Sequence, residues 1–126
     1  MEKNEINFNG DIYVLKSAIE QNKLSVSTDG LPYVCIRTYS AGVHIGYLQF
    51  KNNANPKHVV LIKSRRIWYW DGAASLSQLA MEGVTKPQNC KFSIEVESIE
   101  LTEAIEIIPI TEKAKLNLTS VKAWKQ

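Results

Sequence analysis

Three apolar segments crowd the first half of the chain: LPYVCIRTY (31–39), VHIGYLQFK (43–51) and KHVVLIK (57–63). They are rich in β-branched and aromatic residues, and only Ser40-Ala41-Gly42 and Asn52-Asn53-Ala54-Asn55-Pro56 separate them. Strand-forming runs punctuated by such turn residues read as an antiparallel meander. The third strand is expected to continue through Ser64 to Trp70, because a break before the aromatic run leaves those rings without a sheet to lie on.

Around this meander the pattern predicts helices and further strands. From Asp11 to Lys23, Ile12, Leu15 and Ile19 recur at helical spacing after Gly10, which predicts an N-terminal amphipathic helix capped by Asp11. Ser75 followed by Gln78 fits a capping box, Leu76, Leu79 and Ala80 form an apolar side, and Gly83 provides the stop. CKFSIEVESIEL (90–101) alternates as one strand, with Phe92, Ile94 and Val96 on its apolar side, and TEAIEIIPI (102–110) reads as another, interrupted at Pro109. A short helix capped by Thr111 and a last strand around Val121 to Trp124 complete the expectation. The fold class is α+β: one domain over 1–126, a mostly antiparallel sheet, an N-terminal helix and one or two further short helices.

Composition limits the function. At 126 residues and 44% apolar, the chain is long enough to bury roughly two-thirds of its unfolded surface without a disulfide or metal. A formal charge of +2 from 15 basic and 13 acidic side chains gives no general pull toward nucleic acid or membrane, so any anion site is local. Runs such as VVLI (59–62) and IEIIPI (105–110) are too short to span a bilayer, and the polar start MEKNEINFNG does not resemble a signal peptide. A cytoplasmic protein is expected. Cys35 and Cys90 belong to no Cys/His cluster, and Cys35, inside YVCIR, reads as a buried reduced thiol.

The catalytic vocabulary is thin. The chain has no P-loop, GxGxxG, GxSxG or HExxH. His44 and His58 are isolated strand histidines, and Glu95, Glu97, Glu100, Glu103 and Glu106 read as a solvated outer face rather than a metal cluster. No cofactor, metal or catalytic residue is expected.

Arginine and aromatic usage says more. The three arginines, Arg37, Arg65 and Arg66, all lie in strand segments flanking turns. In an extended 63–71 segment Arg66, Trp68 and Trp70 share one face, and Arg65, Ile67 and Tyr69 the other. Arginine beside indole forms a cation–π pair or a clamp for phosphate and base. The RTYSAG turn adds Tyr39 and Ser40 beside Arg37, and Ser75 opens a helix whose first amides are unpaired. The ligand-binding candidates are therefore Arg37, Tyr39, Ser40, Arg65, Arg66, Trp68, Tyr69, Trp70 and Ser75.

The segments RTYSAGVHIGYL (37–48), RRIWYWDGAASLSQLAMEG (65–83), CKF (90–92) and LTEAIEIIPITEKA (101–114) together resemble small proteins of phages and prophages, the first type of Thoeris anti-defence sponge proteins. The resemblance covers roughly residues 33 to 125. It implies a protein that binds and holds cyclic ADP-ribose isomers made by bacterial TIR-domain enzymes without cleaving them, inside the host bacterial cytoplasm. It also implies a homo-oligomer with pockets shared between subunits. On that reading Trp68, Tyr69 or Trp70 stacks the purine, Arg37, Arg65 or Arg66 meets the pyrophosphate, and Ser75 completes an anion cradle.

Three other classes compete. An enzyme degrading a cyclic nucleotide needs an acid and a base, for which His44 with Glu103 or Asp71 is the loose proposal. A nucleic-acid binder needs a basic stripe that the balanced charge does not provide. A protein-binding inhibitor needs exposed anchors, and Trp68 and Trp70 are candidates.

Overall fold

The computed structural model describes residues 23–126; the helix expected from Asp11 onward lies outside the described residues. The elements are β1 (Tyr33–Thr38), β2 (Val43–Lys51), β3 (Val59–Tyr69), α1 (Leu76–Glu82), a 3-10 turn (Pro87–Asn89), β4 (Lys91–Phe92), β5 (Val96–Leu101), β6 (Ala104–Pro109) and α2 (Glu112–Thr119). The six strands form one antiparallel sheet in the order β4-β3-β2-β1-β6, with β5 beside β3. The α+β expectation therefore holds for a small domain of mostly antiparallel sheet with two short helices. Among the described residues no helix is long and apolar enough to cross a membrane.

The sheet is coiled, as its connectivity requires. β5 and β6 lie beside β3 and β1, yet only Thr102 and Glu103 join them. In a flat sheet four strand spacings would separate them by about 19 Å. The three residue steps from Leu101 to Ala104 reach about 11 Å at most. Two bulges supply the bend. Ile45 pairs with Arg65 and Tyr47 with Ile62, so β3 carries an extra residue around Lys63, whose φ is 50°. Farther along, Leu48 pairs with Leu61 and Phe50 with Val60, which places an extra residue on β2.

The first bulge also changes which face β3 buries. Before it, Val59 and Leu61 pack with Val34, Ile36, Leu101 and Ala104. After it, Ile67 joins Cys35, Ile45 and Phe92 beneath Leu79 of α1 and Leu118 of α2. β1 serves both clusters, so its run Tyr33-Val34-Cys35-Ile36 is apolar on both faces and wholly buried.

Local chemistry sets the helix ends. Ser75 Oγ accepts from the Gln78 N–H at 3.2 Å, and Gln78 Oε1 accepts from the Ala74 N–H at 2.8 Å. Gly83 ends α1 at φ 81°, where a Cβ would meet Asn117. Thr111 caps α2 through Ala114 N–H at 3.1 Å and donates to the Met81 carbonyl at 2.8 Å, tying the helices together.

Two expectations are corrected. CKFSIEVESIEL does not form one strand: β4 follows the outer half of β3 and β5 the inner half, because β3 bends between them at Lys63. The apolar phase changes with the break, so Phe92, Ile99 and Leu101 turn inward while Ile94 and Val96 stay exposed. The expected last strand is a single parallel pairing of Phe92 with Ala123, closed by Trp124 N–H to the Phe92 carbonyl at 2.8 Å.

Candidate functional site

The turn between β1 and β2 is built by side chains. Thr38 Oγ1 donates to the Gly42 carbonyl at 2.7 Å and accepts from the Ala41 N–H at 2.8 Å. His44 Nε2 lies 2.9 Å from the Ala41 carbonyl. A carbonyl only accepts, so Nε2 carries the proton. Gly42 takes φ 85°, a region that disfavours residues with a Cβ. Ser40 is fixed at the tip by its hydroxyl donating to the Glu103 carboxylate.

The outer end of β3 runs beside this turn, with Val43 paired to Ile67 and His44 to Arg66. Arg66 is exposed, and its main chain is clamped to Ser93: the Arg66 N–H donates to Ser93 Oγ at 2.8 Å and its carbonyl accepts from Ser93 N–H at 2.9 Å. Trp68 is 66% exposed, and its ring stacks on Trp124 with centroids 6.4 Å apart and planes 16° apart. Trp70 is half-buried and donates from Nε1 to the Ala73 carbonyl at 3.2 Å. Together Ser40, Ala41, Gly42, Arg66, Trp68 and Trp70 line a cleft of about 400 Å³.

Four of the sequence candidates thus meet at one cleft: Ser40, Arg66, Trp68 and Trp70. The others lie elsewhere. Arg37 Nε donates to Glu106 Oε1 at 3.0 Å in an exposed pair on β1 and β6. Tyr39 (79% exposed) and Tyr69 (51% exposed) project from the surface and do not line the cleft. Arg65 is corrected outright. It is buried, its Nε donates to the Ser93 carbonyl at 2.9 Å and its Nη1 to the Leu118 carbonyl at 3.3 Å, and its guanidinium lies over Phe92. A guanidinium so engaged holds the core together and is withheld from a phosphate. Ser75 caps its own helix, as expected, and does not join Ser40, Arg66 and the tryptophans at the cleft.

Trp124 was missed as a neighbour of the site. Its ring backs Trp68, and Lys91 Nζ lies 5.1 Å from its centroid. A lone tryptophan in the polar tail KAWKQ was the available sign.

The titratable groups are mostly occupied. His44 is fully buried, and burial, reinforced by the positive charge of Arg66, lowers its pKa despite the bond to Ala41, so the ring is neutral. No hydrogen bond joins it to Glu103 or Asp71; Glu103 accepts from Ser40, and Asp71 accepts from Asn89 Nδ2 at 2.9 Å. His58 pairs with Glu100. Burial pushes the Cys35 thiol up to about 12, with Glu106 adding to it, so it stays protonated. Cys35 and Cys90 are both free and buried. Among the described residues no three His, Cys, Asp or Glu side chains gather as metal ligands. The cleft can therefore offer one exposed cation, two indoles and a serine-bearing turn, which suits binding of a planar, anionic molecule.

Such an arrangement defines a small coiled-sheet domain with an aromatic, arginine-bearing cleft at the end of a hairpin. A family model described as a domain of unknown function (DUF6948) matches residues 31–118, from the start of β1 through nearly all of α2, and the chain belongs to this family. Neither a curated protein nor a solved structure matches it.

Proposed function

We propose that the protein is a phage or prophage immune-evasion factor that sequesters a cyclic ADP-ribose-type signal made by a bacterial TIR-domain enzyme, without cleaving it. The observation that carries this reading is the meeting of Arg66, Trp68 and Trp70 with the Ser40–Gly42 turn around one cleft. Arg66 faces the pyrophosphate and the indoles stack the purine. Each base–aromatic stack contributes on the order of 1–3 kcal/mol in nucleic-acid complexes, and charge-assisted contacts add to that. Sequestration needs affinity and no turnover, which accords with His44 being neutral and committed to the Ala41 carbonyl. The sequence resemblance supports the same reading and, with it, a homo-oligomer in the bacterial cytoplasm.

The test is to incubate the purified protein with the products of an activated TIR enzyme, remove free small molecules, heat the protein and identify what is released by mass spectrometry. An intact cyclic ADP-ribose isomer is expected from the wild type, and none from Arg66→Ala or Trp68→Ala. Release of a linear product would replace sequestration with an enzymatic role.

A second reading rests on the surface itself. Trp68, Tyr69 and Trp124 are 66%, 51% and 46% exposed, and exposed aromatics serve as anchors for protein partners. A protein-binding inhibitor would capture a host protein and retain no nucleotide.

A further inference from the structure

The strand alone does not fix Trp68. Ile67 pairs with Phe92 and Tyr69 with Lys91, so Trp68 is the extra residue of a bulge between β3 and β4, and β2 reaches no farther along β3 than Ile67. Trp68 and Tyr69, successive residues, are accordingly both exposed. An exposed indole at a bulge has several staggered rotamers open to it, and a stacking site needs one of them held.

The C-terminal tail supplies the hold. Beyond α2, Val121 is buried with Phe92 in the core, Ala123 pairs with Phe92 in parallel, and the Trp124 N–H donates to the Phe92 carbonyl at 2.8 Å. Phe92 is itself fully buried, so the main chain of the tail is tied to a fixed point. From there the Trp124 ring reaches Trp68, with centroids 6.4 Å apart and planes 16° apart, while Lys91 Nζ lies 5.1 Å from the Trp124 centroid. Both the near-parallel ring pair and the cation at the indole are attractive arrangements. Trp68 lines the cleft and Trp124 does not, so what Trp124 does for a ligand there passes through Trp68.

Resting on the nucleotide reading of the cleft, we propose that Trp124 is a positioning residue: stacking from the tail holds the Trp68 indole in the orientation in which it meets the purine. A ring already held in place loses no rotamer freedom when the ligand arrives, so affinity depends on a residue that the base does not touch. The segment from Val121 to Trp124 is a strap that presets the cleft as the chain folds.

The experiment uses the full chain, with the cyclic ADP-ribose isomers made by a TIR-domain enzyme as probes. Affinity is measured calorimetrically for the wild type, for Trp124→Leu, which keeps apolar bulk, and for Trp124→Phe, which keeps a ring to stack; an unchanged stoichiometry shows that each variant is folded. Far-ultraviolet circular dichroism of the ligand-free proteins follows the exciton couplet of two stacked indoles. Trp124→Leu is expected to bind about tenfold more weakly, and Trp124→Phe within about threefold of the wild type. The couplet is present in the wild type and disappears in Trp124→Leu and Trp68→Ala alike. A leucine variant within about threefold of the wild type, equal losses in the leucine and phenylalanine variants, or a wild type without the couplet would each overturn the positioning role while the cleft keeps its reading. A wild type that shows the couplet yet binds none of the probes would instead remove the nucleotide reading, and the positioning role with it.

Discussion

Arg65 lies over Phe92 with its guanidinium carbon 5.3 Å from the ring centroid, and both side chains are buried. The neighbouring Arg66 is exposed on the opposite face of β3, so two identical residues adjacent in sequence carry different work. Arg65→Ala removes donors from the Ser93 and Leu118 carbonyls and opens a void above Phe92. We expect a loss of about 2–4 kcal/mol in urea denaturation. Arg66→Ala in the same assay should stay within about 0.5 kcal/mol of the wild type. Equal losses for the two variants would contradict the division drawn between them.

Asn117 clamps the main chain of Val84. Its Oδ1 accepts from the Val84 N–H at 2.8 Å and its Nδ2 donates to the Val84 carbonyl at 2.9 Å, joining α2 to the segment after α1. Val84 is buried, so Asn117→Ala leaves a donor and an acceptor without partners. The expected loss is about 2–3 kcal/mol. Asn117→Asp keeps the acceptor but loses the donor and should fall between the two. A thermal melt of the three proteins decides it, and an alanine variant as stable as the wild type would show that water replaces the clamp.

Much of this fold is legible in the sequence because the strands of its meander are separated by strong turns and rich in β-branched and aromatic residues. The β1–β2–β3 meander, the Ser75 and Thr111 caps and the Gly83 stop follow from local chemistry alone. What escapes is non-local. The bulge at Lys63 has no sequence mark, since a lysine is an uncommon occupant of φ 50°, and it splits the expected 90–101 strand in two. The site is legible in the same measure. Alternation along β3 brought Arg66, Trp68 and Trp70 to one cleft, whereas the burial of Arg65 depends on β4 and α2, which arrive from 27 or more residues away.

Gly46 tests the bulge. A Cβ there would lie 3.1 Å from both the Ile62 carbonyl oxygen and Ser64 Cα, and 3.2 Å from Ser64 Cβ. The first two atoms are main chain in a strand paired on both sides, so they have little room to retreat. Gly46→Ala is expected to destabilise by about 1–2 kcal/mol, and by more for Gly46→Val. A stabilised alanine variant, read from the urea midpoint, would mean that the strand yields freely at this point.

His44 links stability to pH. Burial holds its folded-state pKa below the ordinary 6.5, so as pH falls the unfolded chain takes up the proton first. The contribution of His44 is therefore full above about pH 6.5 and diminishes below it, until the lowered folded value is passed. His44→Gln removes the titration while keeping a donor for the Ala41 carbonyl. At pH 7 the wild type should be the more stable protein, because glutamine gives up the imidazole packing. At pH 5 the gap should narrow, since only the wild type gains a proton on unfolding at this position, and carboxylates common to both proteins cancel in the difference. Urea denaturation of both proteins at the two pH values measures the gap directly. A gap that stays constant would mean that the folded state accepts the proton on His44 as readily as the unfolded chain, and the neutral buried ring would have to be given up.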